Sequence, residues 1–281
     1  MATAPTDDRY LDLILDPIRT CANYRPAFGK ATRRRRADED EEEQDEEGVS
    51  IQQFHVLYGA DPLYHWIGLD SDLVYAAHKA AGGMTSVYRQ LGIGCERLVR
   101  EVIRDTLSIS EDDAKWSYSY DKGNGVMAIH TLDVRIDLDA LPSERKRRAV
   151  RGWLDRCGTM LTLSRERAAA LRGVVLEVRQ GYKSADSKRQ NADLRFGMRA
   201  ANENYLSAIM VVSSQVSEPV RRRYQAALIP VLVGTRGADT SSTFTFFSDV
   251  VGYDLAAFFE RNSPRLRAEF TEVLQALLTP A

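Results

Sequence analysis

The sequence lacks the residue patterns that mark several protein classes. Its three cysteines lie too far apart for a disulfide framework or paired zinc ligands, and its four histidines form no HExxH motif. No apolar run reaches the roughly 18 residues that a membrane span needs. The stretch "MATAPTDDRYLDL" also lacks a basic start followed by an apolar core. We therefore expect a cytoplasmic protein with no membrane partner and no metal bound by histidine or cysteine.

Common nucleotide-binding and hydrolase motifs are absent as well. The segment "GTRGADTSS" has no GK[ST] of a P-loop, and "GIG" lies inside a predicted helix, away from the strand-to-helix turn of a dinucleotide-binding fingerprint. No GxSxG motif and no cysteine-histidine grouping stands out. These absences argue against nucleotide binding and against a serine or cysteine nucleophile.

Charge is distributed unevenly along the chain. The formal net charge is −2, yet nine acidic residues lie between Asp38 and Glu47, so the rest of the chain carries +7. Such a basic body suits a nucleic acid. The tract "RRRRADEDEEEQDEEG", residues 33–48, has one apolar residue and is expected to be a disordered, solvated loop. Alternatively, its acids mimic DNA and cover a basic cleft until DNA displaces them.

Hydrophobic periodicity predicts helices in the first half of the chain and a hairpin near its middle. A helix is expected at 70–81, and a second, with a period near 3.6 residues, at 84–107. Asn124 and Gly125 indicate a hairpin turn. The strand that follows, residues 125–141, alternates an apolar face with a face that carries Asp133, Asp137 and Asp139.

The second half of the chain alternates predicted helices and strands. A basic helix follows Pro142, then come a strand at 174–179 and a helix from about 187 to 204. The runs "LSAIMVVSS" and "ALIPVLVG" are apolar throughout, which is typical of strands covered on both faces. Two helices, near 249–260 and 264–278, close the chain. The predicted fold class is α/β, with a mixed β-sheet flanked by helices and with helical additions at both ends.

The strand at 174–179 carries an acid and a cation on one face. Glu177 and Arg179 are two residues apart, so both side chains point to the same side of the strand. Two acids on neighbouring strands can hold a hard divalent cation that activates a water and neutralises charge on a phosphate. A cation beside them can stabilise the transition state. This arrangement predicts phosphodiester hydrolysis.

An acid on one strand and ExK on the following strand, before a helix, is the signature of PD-(D/E)XK nucleases. This segment resembles that signature, with ExR in place of ExK. The runs "SVYRQLGIGCERLVREV", "EVRQGYKSADSKRQNAD" and "VVGYDLAAFFERNS" also look like type II restriction endonucleases of the ApaLI-like family. The resemblance extends from about residue 85 to the C-terminus. It implies a PD-(D/E)XK (restriction-endonuclease-like) domain at 84–281, after an N-terminal helical region at 1–83.

The resemblance also implies an activity and partners. It implies Mg²⁺-dependent, site-specific hydrolysis of double-stranded DNA by a homodimer, which places one active site on each strand of a palindrome. A companion DNA methyltransferase would protect host DNA. Two alternatives stay open: a repair or defence nuclease of the same fold without sequence preference, and a non-catalytic DNA-binding protein, which an arginine in the lysine position allows.

The resemblance assigns roles to the acids and to the arginine. Glu177 takes the second metal-ligand position, and Asp133 takes the first, with Asp137 the next choice and Asp139 the third. Asp133 could instead be a surface acid paired with an arginine of its own strand or of the basic helix that follows Pro142. Arg179 takes the position of the catalytic lysine. Because arginine keeps its proton, Arg179 would stabilise charge and would not act as a base.

Polar residues around this strand are further candidates. Lys183 could supply the catalytic amine, contact a phosphate or be a solvated loop residue, and Glu96 could add a carboxylate or pair with Arg100. Ser184 or Asp186 could cap the following helix. Basic side chains suit phosphates, and amides suit base edges, adenine above all. The predicted DNA-binding residues are Lys183, Ser184, Lys188, Arg189, Gln190 and Asn191, and a second basic cluster, or else a solvated helix face, lies at 221–223.

Overall fold

Helices and strands alternate through the described part of the chain, which in the computed structural model is 5–28, 48–121, 125–181, 187–237 and 239–280, without the side chains of 5, 6 and 187–189. The acids of the charged tract, Asp38 to Glu47, and Asn124 lie outside it. Residues 1–13 and 95–262 form one compact unit, and 14–94 and 263–281 form a second. The predicted boundary between 83 and 84 stays a prediction.

The helices are α1 (Pro5–Arg19), α2 (Ile51–Gly59), α3 (Pro62–Trp66), α4 (Asp72–Leu107), α5 (Glu111–Ala114), α6 (Glu144–Met160), α7 (Arg165–Ala169), α8 (Ser187–Asn202), α9 (Glu218–Ala226), α10 (Thr243–Thr245) and α11 (Leu255–Leu278). A 3₁₀ turn spans Thr20–Asn23 and a π-helical turn spans Phe246–Val251. The strands are β1 (Trp116–Asp121), β2 (Met127–Leu132), β3 (Val134–Asp137), β4 (Gly173–Arg179), β5 (Tyr205–Val211) and β6 (Val231–Leu232).

The first unit is built on a four-stranded mixed sheet with the strand order β3-β4-β5-β6. Strand β3 runs antiparallel to β4, whereas β5 is parallel to both β4 and β6. Helix α8 connects β4 to β5, and α9 connects β5 to β6, as parallel neighbours require a crossover. The predicted α/β class, with a mixed sheet flanked by helices, is confirmed.

The strand predicted at 125–141 is two strands that belong to different sheets. Strand β2 pairs with β1 in a two-stranded sheet, and β3 pairs with β4 in the larger one. The chain bends between them at Asp133, so the prediction of one continuous strand was wrong. The carbonyl of Asp133 accepts a 2.8 Å hydrogen bond from Arg100 Nε, and its carboxylate accepts one from the backbone of Val178. Asp133 therefore has hydrogen-bond partners for its carbonyl and its carboxylate, although it lies outside the regular β-sheet pairing.

Helix α4 is continuous through the glycine pair Gly82 and Gly83, where the sequence suggested a break between two helices. A β-carbon on Gly82 would lie 2.1 Å from the Tyr24 hydroxyl oxygen, and one on Gly83 would lie 2.4 Å from a methyl carbon of Leu277. The glycines therefore admit close neighbours in the second unit and do not end the helix. The prediction of two helices was wrong because it treated these glycines as a break in the helix, whereas they make room for tertiary neighbours.

The two helices predicted at 249–260 and 264–278 are also joined differently. Helix α11 begins at Leu255 and continues through Pro264, although proline cannot donate a backbone hydrogen bond. The π-helical turn before it ends at Gly252, whose φ of 88° favours glycine. The predicted start at 249 therefore falls in a separate turn.

The core of the first unit lies on both sides of β4 and β5, whose residues are buried except Arg179 at the end of β4. On one side, Phe196 of α8 and Tyr224 of α9 pack in an apolar cluster with Ile209. Elsewhere in the unit, Trp153 of α6 meets Phe246 edge to face, with ring centroids 4.8 Å apart. Burial on both faces explains why most residues of the two strands are apolar.

The second unit has its own aromatic core. Phe28, Phe54 and Tyr75 pack together, with the rings of Phe28 and Phe54 4.9 Å apart. Arg19 binds both carboxylate oxygens of Glu269, at 2.8 and 2.6 Å. In the described ranges of both units, no helix combines the length and the apolar character needed to cross a membrane.

Candidate functional site

The pairing of β3 with β4 brings Asp133 and Glu177 together. Val134 lies opposite Leu176 in this antiparallel register, so the residue before β3 faces the residue after Leu176. The backbone N–H of Val178 donates a 2.7 Å hydrogen bond to Asp133 Oδ2. Both acids are largely buried, with 12% of the Asp133 side chain and 8% of the Glu177 side chain exposed. Two acids predicted as metal ligands are therefore neighbours across the sheet.

The electrostatic environment of Asp133 is dominated by burial and by other acids. Burial raises the pKa of Asp133 well above its ordinary value, and the charges of Glu177 and Glu96 raise it further. The Val178 N–H and the Arg179 guanidinium act in the opposite direction and do not compensate. Burial and the two neighbouring acids therefore both oppose ionisation of this carboxylate.

Arg179 is tied to two carboxylates. Its Nη1 lies 2.6 Å from Glu177 Oε1, its Nη2 lies 3.3 Å from Asp193 Oδ1, and only 14% of its side chain is exposed. Burial opposes the charge on Arg179, but Glu177, Asp193 and more distant acids outweigh it and raise the pKa above its ordinary value. Arg179 is a permanent cation, and it is already paired with the acids Glu177 and Asp193.

Asp193 and Tyr224 belong to the site and were missed by sequence reasoning. The Tyr224 hydroxyl donates a 2.5 Å hydrogen bond to Asp193 Oδ2, and both residues are buried. Asp193 shares one face of α8 with the buried residues Phe196 and Ala200. An acid on the apolar face of a predicted helix was the signal that could have identified a buried ion pair.

Arg100 and Glu96 approach the site from α4. Arg100 Nη2 lies 3.6 Å from Asp133 Oδ1, in addition to the hydrogen bond from its Nε to the Asp133 carbonyl. Glu96 is close enough for its charge to raise the pKa of both Asp133 and Arg179. The sequence had offered a pair of Glu96 with Arg100 as an alternative, without a link to Asp133. Arg100 is therefore a second cation at this site.

Two buried atoms define where a ligand could bind. Glu177 Oε2 and Arg179 Nε both lack a hydrogen-bond partner among the residues that the structure describes. Buried polar atoms are rarely left unpaired, so each such atom in a native protein calls for a ligand or an ordered water. An acceptor from Glu177 beside Asp133 fits a hard cation. Within the same described ranges, no group of three or more His, Cys, Asp or Glu residues is arranged to hold a metal ion.

Asp137, the second choice for a metal ligand, lies at the opposite end of β3. It pairs with Gly173, four residues along the strand from Asp133, which is a separation of about 13 Å. Its carboxylate accepts hydrogen bonds from Arg172 Nη2 at 3.1 Å, from the Asp139 N–H at 2.9 Å and from the Tyr205 hydroxyl. The structure does not bring Asp137 to Glu177. Asp139 is exposed in the turn after β3.

The predicted DNA-binding run lies partly outside the described residues. Lys183 and Ser184 are outside, and Lys188 and Arg189 lie in α8 without described side chains, so their predicted roles stay predictions.

Gln190 and Asn191 are described, and one arginine holds both. Arg223 of α9 donates from Nη1 to Gln190 Oε1 at 2.8 Å and from Nη2 to Asn191 Oδ1 at 2.6 Å. Only 4% of Gln190 is exposed, so its position does not present its amide to a base edge. Asn191 is exposed, and its predicted base contact stays a prediction.

The geometry therefore brings Asp133, Glu177 and Arg179 together, adds Asp193 and Arg100, and leaves Asp137 outside. Comparison of the chain with protein-family models, with curated proteins and with solved structures found no significant match.

Proposed function

We propose that the chain is a Mg²⁺-dependent endonuclease that hydrolyses phosphodiester bonds of double-stranded DNA at specific sites, as a type II restriction endonuclease with a PD-(D/E)XK core. The main supporting observation is that two largely buried acids are neighbours, Asp133 at the bend before β3 and Glu177 on the antiparallel strand β4, with Glu177 Oε2 left without a described partner. The excess of carboxylates around Asp133 supports a cation of high charge at this position.

The chain's own residues have distinct parts in the proposed reaction. Asp133 and Glu177 would hold Mg²⁺, which when bound lowers the pKa of a water and neutralises charge on the scissile phosphate. Arg179 fixes one oxygen of Glu177 through its 2.6 Å contact. Arg100 restrains Asp133 from the side of α4. The net reaction adds water across one P–O bond and leaves one phosphate end and one hydroxyl end.

The partners belong to the same proposal. Cleavage of both strands of a palindrome by this fold requires two copies of the site, and hence a homodimer. A companion DNA methyltransferase would protect the same sites in host DNA. The +7 charge of the chain outside the acidic tract suits a DNA partner.

Incubation of phage and plasmid DNA with the full chain and Mg²⁺ tests the proposal. We expect discrete fragments that disappear with a chelator and in Glu177→Gln. Glu218→Gln is the matched control, because it removes the same charge from an exposed acid that pairs with Arg222 on α9. A smear would support a nuclease without sequence preference. DNA that stays intact under all metal conditions would overturn the proposed activity.

A non-catalytic DNA-binding protein is the second candidate, and one observation favours it. Arg179 stands where a catalytic lysine is expected, and it already neutralises Glu177 at 2.6 Å. If this ion pair replaces the cation, the protein would retard DNA in a gel without cutting it, and Mg²⁺ would not change its affinity. Affinity that rises with Mg²⁺ would count against this candidate.

A further inference from the structure

A chain of buried polar contacts leads from α9 to Glu177. The Tyr224 hydroxyl donates to Asp193 Oδ2 at 2.5 Å, and Asp193 Oδ1 lies 3.3 Å from Arg179 Nη2. Arg179 Nη1 in turn lies 2.6 Å from Glu177 Oε1. Helices α9 and α8 and strand β4 each contribute to the chain of contacts. Each of the four side chains is at least 85% buried.

The contacts hold the guanidinium of Arg179 at both ends. A guanidinium is planar and presents its donors in a rigid fork, so two carboxylates on different nitrogens restrict its orientation. Burying these charges costs free energy that an apolar cluster would not cost. One use of such a buried network is to fix the orientation of a side chain. Here the network runs from Tyr224 through Asp193 and Arg179 to Glu177.

The orientation determines which oxygen of Glu177 remains available. Oε1 is taken by Arg179, whereas Oε2 is buried and has no hydrogen-bond partner in the described part of the chain. The two oxygens of a carboxylate are chemically equivalent, so the contact with Arg179 fixes the plane of the carboxylate and not the identity of an atom. With one oxygen held by Arg179, the other acceptor lies at a defined position.

We infer that Asp193 and Tyr224 are positioning residues, which orient Arg179 so that it holds Oε1 of Glu177 and leaves Oε2 for a divalent cation. The inference rests on the proposed function. It also changes the role of Arg179, which the sequence assigned to charge stabilisation at the phosphate. With both ends engaged and 14% of its side chain exposed, Arg179 acts on the cation site through Glu177.

Titration of Mn²⁺ into the DNA-free full chain, followed by calorimetry, tests the inference without reference to cleavage. We expect Asp193→Asn and Arg179→Lys to bind Mn²⁺ about 10-fold more weakly than the unchanged protein, the range typical of residues that orient metal ligands. Tyr224→Phe removes only one hydroxyl and should weaken binding less. Glu218→Gln matches the charge change of Asp193→Asn at an exposed site and should bind normally.

Cleavage assays on the same variants supply the second measurement. We expect kcat to fall in the order of the Mn²⁺ affinities, with KM for DNA unchanged. Loss of cleavage with unchanged Mn²⁺ affinity would overturn the inference, because Arg179 would then act at the phosphate. Wild-type Mn²⁺ affinity in Asp193→Asn would overturn it as well. If Asp193→Asn does not fold, unchanged affinity and kcat in Tyr224→Phe would overturn it.

The unchanged protein separates the two proposals. If it binds no Mn²⁺ and cuts no DNA, the proposed function fails and this inference falls with it. If it binds and cuts while the variants behave like the unchanged protein, only the positioning role is wrong.

Discussion

The backbone N–H of Val178 donates a 2.7 Å hydrogen bond to the side chain of Asp133. This bond ties the bend between β2 and β3 to the strand that carries Glu177, so the two acids are neighbours because of the backbone register. Asp137, at the far end of β3, accepts hydrogen bonds from three donors of its own. The two aspartates therefore differ: Asp133 lies at the candidate cation site, whereas Asp137 accepts hydrogen bonds that stabilise the fold.

The difference between the two aspartates can be measured directly. Asp133→Asn should abolish Mn²⁺ binding, because a carboxylate ligand is lost. Asp137→Asn should bind Mn²⁺ normally but lower the free energy of unfolding by about 1–3 kcal/mol, because its pair with Arg172 is lost. Calorimetry and urea unfolding of both variants provide the test. Normal Mn²⁺ binding in Asp133→Asn, or its loss in Asp137→Asn alone, would reverse our assignment.

The hydroxyl of Tyr205 should stay protonated far into the alkaline range. Burial and the hydrogen bond to Asp137 raise the pKa of Tyr205 to about 12. We expect Tyr205→Phe to remove a tyrosinate absorbance change that occurs near pH 12 and to lower the unfolding free energy by about 1 kcal/mol. Spectrophotometric titration measures the first effect. Loss of an absorbance change near pH 10, the ordinary tyrosine range, would contradict the buried hydrogen bond.

Acid stability should depend on Asp7. Its carboxylate accepts hydrogen bonds from Arg261 and Asn262, and the bond from Arg261 is the main reason that its pKa lies below the ordinary 3.8. A lowered folded-state pKa contributes stability that is complete above about pH 4 and is lost as pH falls through that lowered value. Asp7→Asn should therefore cost about 1–2 kcal/mol at pH 7.

The pH dependence of that difference is the check. The difference in unfolding free energy between the two proteins should begin to shrink below about pH 4 and should vanish only below the lowered folded-state pKa, where Asp7 is protonated in both states. Asp8→Asn, one residue along α1, is the neighbouring control. A difference that stays constant down to pH 2 would show that the pair with Arg261 contributes no pH-dependent stability.

Gln190 should matter for stability and not for the choice of DNA sequence. Because its amide is buried and accepts from Arg223, Gln190→Ala should cost about 1–3 kcal/mol of unfolding free energy. If the chain cuts DNA at specific sites, the fragment pattern should be the same in the variant. An altered fragment pattern in a stably folded Gln190→Ala would restore its predicted base contact.

The local parts of the candidate site could be predicted from the sequence. Glu177 and Arg179 share a face because strand residues alternate, and this needs no knowledge of the fold. Asp133 required a partner strand, and the choice among three aspartates depended on the antiparallel register. The bend that separates Asp133 from β3 left no local signal, and the hydrogen bonds that Asp133 makes there are long-range ones from Arg100 and Val178.

Other features depend on contacts that no local pattern reports. Asp193 contacts Arg179 only because α8 packs against the sheet, so this ion pair could not be predicted without the fold. Gly82 and Gly83 looked like a helix break, but Tyr24 and Leu277 take up the space beside them. The amide of Gln190 is of a type that can bind a base edge, but in the fold it accepts a hydrogen bond from Arg223. In each case tertiary packing overrode a local preference.

The central claim is that Asp133 and Glu177 together hold the divalent cation that the proposed DNA hydrolysis requires. Anomalous diffraction from crystals of the full chain soaked in Mn²⁺ tests it most directly. We expect a peak within coordination distance of Glu177 Oε2 and of a carboxylate oxygen of Asp133, and no such peak in Glu177→Gln. A fully occupied peak at another position would contradict the claim. So would the absence of a peak between the two acids at saturating Mn²⁺ while Arg179 stays paired with Glu177.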